Sequence, residues 1–177
     1  MQILENTSIQ LRALEPQDLK LLYKWENNSE IWEVSHCQKP FSLFVLKQYL
    51  ENSHLDIYES KQLRLVIEIK ENEEPIGLID LFDFDPFHNR AGIGVLLHDK
   101  IHRQKGYASE ALETLINYCF KSLQLHQLYC NITTNNQASI DLFCKKGFEI
   151  TGTKKQWIKG QEGWKDEHFL QLLNPNH

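Results

Sequence analysis

The chain has no long apolar run. No stretch approaches the ~20 consecutive apolar residues that cross a bilayer, so no membrane partner is expected. The opening Met1 to Asn6 has no basic segment leading into an apolar one, so no secretory leader is read and a cytoplasmic location is expected. Cysteine is sparse. Cys37, Cys119, Cys130 and Cys144 show no C-x-x-C spacing, and three of them fall in apolar periodic segments, which predicts reduced core thiols rather than a zinc or redox motif. Positive charge is in deficit: the net charge of −5 argues against a nucleic-acid binder and is compatible with a cationic substrate. The four tryptophans are not interleaved with Lys/Arg clusters, so no stacking platform for nucleic acid is read. His98 and His102 stand four apart, but Asp99-Lys100 reads as a link from strand to loop and no metal site is predicted. Repeats and low-complexity segments are missing, and only Asn174 to His177 reads as a free tail.

What is present suffices for one globular domain over residues 1–177, with 41% apolar and 24% charged residues. Ile9 to Leu14 alternates as a strand, and Glu15-Pro16-Gln17-Asp18 starts a helix that Asn27-Asn28-Ser29 ends. Residues 31–60 read as mostly helical, with a helix after Pro40 and an unassigned piece around Trp32, His36 and Cys37. Arg64 to Ile69 and Pro75 to Phe82 read as a hairpin across Glu71 to Glu74. A third strand, Asn89 to Leu97, carries Gly92 and Gly94 on one face, which leaves that face bare for a ligand or for another part of the chain. Gln127 to Thr133 is a strand, and Asn136 caps a helix from Gln137 to Lys146 that stops at Gly147-Phe148 in a Schellman motif. Glu149 to Trp157 and Trp164 to Leu173 read as a closing antiparallel pair.

The stretch His102 to Ala111 organises the rest. A basic loop containing Gly106 runs into a helix whose apolar stripe is Ala108, Ala111, Leu112, Leu115, Cys119 and Leu123. A helix start leaves backbone N–H groups unpaired and carries the positive end of the dipole, so it favours an anion such as phosphate. Arg103 and Lys105 add charge there, and Gly106 lets the backbone come close.

Three features in fixed order, the strand with a bare face, Arg103-x-x-Gly106-x-Ala108 opening a helix, and Asn136-x-x-Ser139 leading to Lys146-Gly147-Phe148, resemble the GNAT superfamily of N-acetyltransferases. Within it the chain looks most like the branch of spermidine/spermine and ribosomal-protein N-terminal acetyltransferases, through His88-Asn89-Arg90-Ala91 and Asn136 to Ile140. The resemblance implies an α/β (α+β) fold with a mixed, mostly antiparallel sheet of about seven strands and about four helices. It also implies acetyl-CoA as donor: the backbone of Gln104, Lys105, Gly106, Tyr107 and Ala108 beside Arg103 would hold the pyrophosphate. The pantetheine would lie along Val95, Leu96 and Leu97 and meet Asn136. The acceptor would be a primary amine of a small molecule, a polyamine among the candidates. The alternatives are a protein N-terminus or a non-catalytic acyl-CoA sensor, and a homo-oligomer is admitted.

Two departures from the family pattern bear on chemistry. Where many members carry a tyrosine that protonates the leaving thiolate, this chain has Phe143, which can give no proton. Where the branch often carries a glutamate on the third strand, it has Gly92. Asp80 and Asp83, with Asp85, are the candidate groups for receiving the amine's proton or holding its charge.

Overall fold

The computed structural model describes residues 3–32, 39–160 and 162–176. Strand β1 (Ile9–Ala13) passes through a 3₁₀ turn (Pro16–Asp18) into α1 (Leu19–Glu26). The turn is fixed by proline at its first position and by a capping box in which the Glu15 amide donates to Asp18 at 2.8 Å. Helices α2 (Leu43–Glu51) and α3 (Ile57–Ser60) follow, then β2 (Leu63–Ile69), β3 (Glu74–Asp85) and β4 (Arg90–Leu97). A second 3₁₀ turn (Lys100–His102) leads to α4 (Tyr107–Lys121), β5 (Gln127–Thr133), α5 (Gln137–Lys145), β6 (Glu149–Gly160) and β7 (Gly163–Leu173). The seven strands form one sheet in the order β1-β2-β3-β4-β5-β7-β6.

One pairing in that sheet creates the site. Strands β4 and β5 are parallel and pair only from Arg90↔Gln127 to Gly92↔Tyr129, whereas β4 stays with β3 as far as Leu97 and β5 stays with β7 as far as Thr133. The two strands therefore diverge beyond Gly92, and the sheet opens like a V. One core, with Ile79, Ile93, Leu112, Leu115 and Leu128, lies under α4. A second, with Leu22, Trp25, Leu46, Val66 and Leu78, lies under α1 and α2 on the opposite face. Burying each such side chain stabilises the fold by about 1.5–3 kcal/mol, so the sheet is held rigidly from both sides around the open V.

The structure decides several sequence expectations. Gly92 is bare for packing and not for a ligand: the hairpin register sets it opposite Phe82, and a Cβ there would run into the Phe82 ring. Gly94 keeps room, with Phe82 3.8 Å from where its Cβ would be. Asn174 is no part of a free tail; it is buried, its amide donates to His126 O at 2.8 Å and its side chain to Leu125 O at 3.0 Å. Cys119 and Cys130 are buried thiols, but Cys144 is exposed, and Cys37 and His36 lie outside the described residues. The helix over 137–146 ends as the sequence predicts: Gly147 takes φ +92°, and the amides of Gly147 and Phe148 donate back to Cys144 and Phe143.

Candidate active site

The mouth of the V carries a cleft of about 600 Å³ between the end of β4, the loop before α4 and the start of α5. The backbone there is shaped for close approach. Gly106, the N-cap of α4, sits at φ +89° with nothing within 4 Å of where a Cβ would point, and Gln104 is at φ +61°. Because the helix begins at Tyr107, the amides of Tyr107, Ala108 and Ser109 have no acceptor within the helix. Val95, Leu96, Leu97, Arg103, Gln104, Gly106, Tyr107, Ala108 and Asn136 all line this cleft; Lys105 is exposed beside it and does not. Asn136 caps α5, its Oδ1 accepting from the Ser139 amide at 3.2 Å, which leaves its NH₂ group for a ligand in the cleft. An open, glycine-lined helix start whose amides have no partner among the described residues fits the diphosphate of acetyl-CoA.

On the α1 side of the sheet a second cleft of about 500 Å³ shares Val95 and Leu96 with the first. Its charged groups are Glu26, Arg64, Asp80, Lys154 and Glu167. Arg64 forks onto Asp80 at 2.7 and 3.0 Å and reaches Glu26 at 2.8 Å. Lys154 donates to Asn131 Oδ1 at 2.8 Å and pairs with buried Glu167. His98 closes one end, stacked on Trp25 with centroids 4.3 Å apart and planes 2° from parallel. Burial, with Arg64 and Arg103 adding positive charge nearby, pushes the imidazole down to about 4, so it is neutral at pH 7.

A third, smaller space of about 330 Å³ lies where β4 and β5 part, with Gly94, Val95, Cys130, Asn136 and Phe143 on its walls. Phe143 is 4% exposed and packs edge-on against Phe148 at 5.1 Å. The Cys130 thiol is pushed up to about 12, chiefly by burial, and stays protonated. It is no nucleophile at neutral pH.

The structure gathers some sequence candidates and separates others. Asp80 lines the second cleft, but both its oxygens are engaged by Arg64. Asp83 is not brought there: it is exposed on a bulge of β3 at φ +48° and accepts from the Tyr129 hydroxyl at 3.2 Å. Asp85 pairs with Arg90 at 3.1 Å. Sequence reading missed Glu26, Arg64, His98, Asn131, Lys154 and Glu167.

A family model of the acetyltransferase (GNAT) domain matches residues 8–149. The chain belongs to the GNAT acetyltransferases. Among its relatives, the spermidine N(1)-acetyltransferase of Escherichia coli (strain K12) is 28% identical over 145 residues, 82% of this chain and 75% of that protein. The Vibrio cholerae spermidine N(1)-acetyltransferase is 28% identical over 147 residues, covering 83% of this chain and 82% of that one. A crystal structure of the Vibrio cholerae enzyme in complex with CoA and spermine superimposes with a TM-score of 0.84 at 26% identity, covering 96% of this chain and 97% of that one. This GNAT chain is thus an enzyme, an N-acetyltransferase whose acetyl donor is acetyl-CoA, and the non-catalytic sensor is not favoured.

Proposed function

We propose that this GNAT enzyme acetylates a small alkylamine with more than one ammonium group, a polyamine in the first place. The observation that carries this is the meeting of two clefts at Val95 and Leu96, one with unpaired helix amides and the other with the carboxylates of Glu26, Asp80 and Glu167. The first suits an anionic donor and the second a cationic acceptor. In this reading the loop 103–108 holds the diphosphate, Asn136 and β4 align the thioester arm, and amides of β4 near Val95 and Leu96 steady the developing oxyanion. The ammonium's proton leaves to water, Asp80 stays paired with Arg64 and steadies the positive charge, and Asp83 has no part. Cys130 is held as a thiol, so the reading is direct transfer with no acetyl group carried on that residue, and initial-rate patterns should be sequential.

The deciding experiment measures thiol release from acetyl-CoA with spermidine, 1,4-diaminobutane, n-butylamine and a peptide bearing a ribosomal-protein N-terminus. The polyamine should give the highest kcat/KM. Turnover of the peptide and of no alkylamine would overturn the proposal. We further infer self-association, supported by a dodecameric Vibrio cholerae relative at 26% identity, and sedimentation would show a monomer if that is wrong.

Phe143 stands on the wall of the space between β4 and β5 with no hydroxyl to offer. Phe143→Tyr should raise the single-turnover rate about tenfold or more, because general acids commonly supply 10² or better. An unchanged chemical step in a folded variant that still binds acetyl-CoA would mean that the departing thiolate needs no acid here.

A further inference from the structure

The β6 strand is distorted beside the acceptor-side cleft. Its register with β7 jumps between Lys154↔Glu167 and Ile158↔Lys165, so that three β6 residues, 155–157, face the single Asp166. Gln156 is at φ +48°, and the Asp166 carboxylate holds the bulge by accepting from the Gln156 amide and from Lys155 Nζ, each at 2.8 Å. The bulge brings Trp157 onto the cleft wall next to Lys154.

Around Lys154 Nζ stand three groups: the Glu167 carboxylate at 2.5 Å, Asn131 Oδ1 at 2.8 Å and the Trp157 ring with its centroid at 5.0 Å. A carboxylate, an amide oxygen and an aromatic face are the three kinds of group that recognise an alkylammonium, and here they are arranged around one. Glu167 is 3% exposed and lines the cleft. Lys154 itself is different. Its side chain is 33% exposed, on an edge strand, with a flexible four-carbon stem that can carry the charge out to water.

We infer that Glu167, Asn131 and Trp157 form a subsite for a distal ammonium of the acceptor, and that Lys154 fills it in the free protein and leaves when the acceptor binds. This rests on the alkylamine reading of the cleft and deepens it. The exchange replaces one ammonium by another against the same three groups, so the pairing lost by Lys154 is regained by the substrate. Charge points the same way. Among the described residues, Glu26, Asp80 and Glu167 face Arg64 and Lys154, three negative against two positive, a net of −1 that becomes −2 once Lys154 has swung out. A monoamine whose one nitrogen is the reacting one has nothing to put in the subsite; a diamine or triamine has. Lys154 thereby sets how strongly the enzyme prefers acceptors with a second charge.

The test compares kcat/KM for spermidine and n-butylamine in wild type, Lys154→Met and Lys154→Gln at saturating acetyl-CoA. With the internal competitor gone, the spermidine to butylamine ratio should rise about tenfold, the equivalent of 1.4 kcal/mol. Adding Trp157→Ala to Lys154→Met should bring the ratio back toward wild type. Calorimetric titration of spermidine into CoA-saturated protein gives a readout that does not need turnover and should show the same tightening. A ratio unchanged or lowered in both Lys154 variants overturns the inference and leaves Lys154 as a structural partner of Glu167. If wild type acetylates no alkylamine, the broader proposal fails on that count, and the calorimetry alone decides the subsite.

Discussion

Gly106→Val is expected to weaken binding of acetyl-CoA by about 100-fold or more, close to 2.7 kcal/mol. Nothing of the protein lies within 4 Å of the direction a Cβ would take, so the added side chain meets no protein wall. Gly106 lines the cleft at the start of α4, where the diphosphate is proposed to sit, so a side chain there competes with the ligand for that space. A second effect accompanies the first. At φ +89° a β-branched residue is strained by about 1–2 kcal/mol, which lowers the stability of the loop whatever binds to it. Gly106→Asn separates the two, since asparagine tolerates the left-handed region and still places a side chain over the amides. Both variants should bind coenzyme A weakly by calorimetry, and Gly106→Asn should unfold near the wild-type temperature. Wild-type affinity in both would put the diphosphate elsewhere.

Where neighbours along the chain set the structure, the sequence was readable. The stripe of α4, the alternation of β5, the Asn136 cap and the Gly147 stop are each decided within a few residues, and each stands where the pattern places it. Gly92 shows the limit: two glycines on one face announce a close approach, but only the β3–β4 register reveals that Phe82 makes it. Glu110 is similar. Its place on the polar side of α4 suggests solvent, yet it accepts from the Ser8 amide at 2.8 Å and the Ser8 hydroxyl at 3.1 Å, tying the segment before β1 to the helix. The residues lining the first cleft stand close in sequence, because a loop and one helix start supply most of them. On the other cleft Asp80 was a sequence candidate, but Glu26, Arg64, Asn131, Lys154 and Glu167 were not, because they come from α1, β2, β5, β6 and β7. The bulge that brings Trp157 to the cleft puts Gln156 in the left-handed region without a glycine to mark it.

Between pH 8 and pH 5 the protein should lose about 2 kcal/mol of stability through His98 alone. This side chain is 8% exposed, neither ring nitrogen has a hydrogen-bond partner among the described residues, and its protonation is pushed down from 6.5 to about 4. Burial is the largest cause, followed by the positive charges of Arg64 and Arg103, while Asp99 acts weakly in the other direction. The unfolded chain therefore takes up a proton near 6.5 that the folded protein refuses until about 4. In that interval the unfolded state binds more protons, so stability is complete above the upper value and falls as the pH drops toward the lower one. His98→Phe keeps a flat ring against Trp25 and removes both unpaired nitrogens, so at pH 8 the variant should be at least as stable as wild type. At pH 5 it should exceed wild type by about 2 kcal/mol more than it does at pH 8, measured by urea unfolding. The two proteins share every other side chain, so the difference between the two pH slopes belongs to residue 98. Parallel slopes would show that the imidazole is reached by water or finds a partner when it becomes charged, and that His98 is not a neutral wall of the acceptor-side cleft.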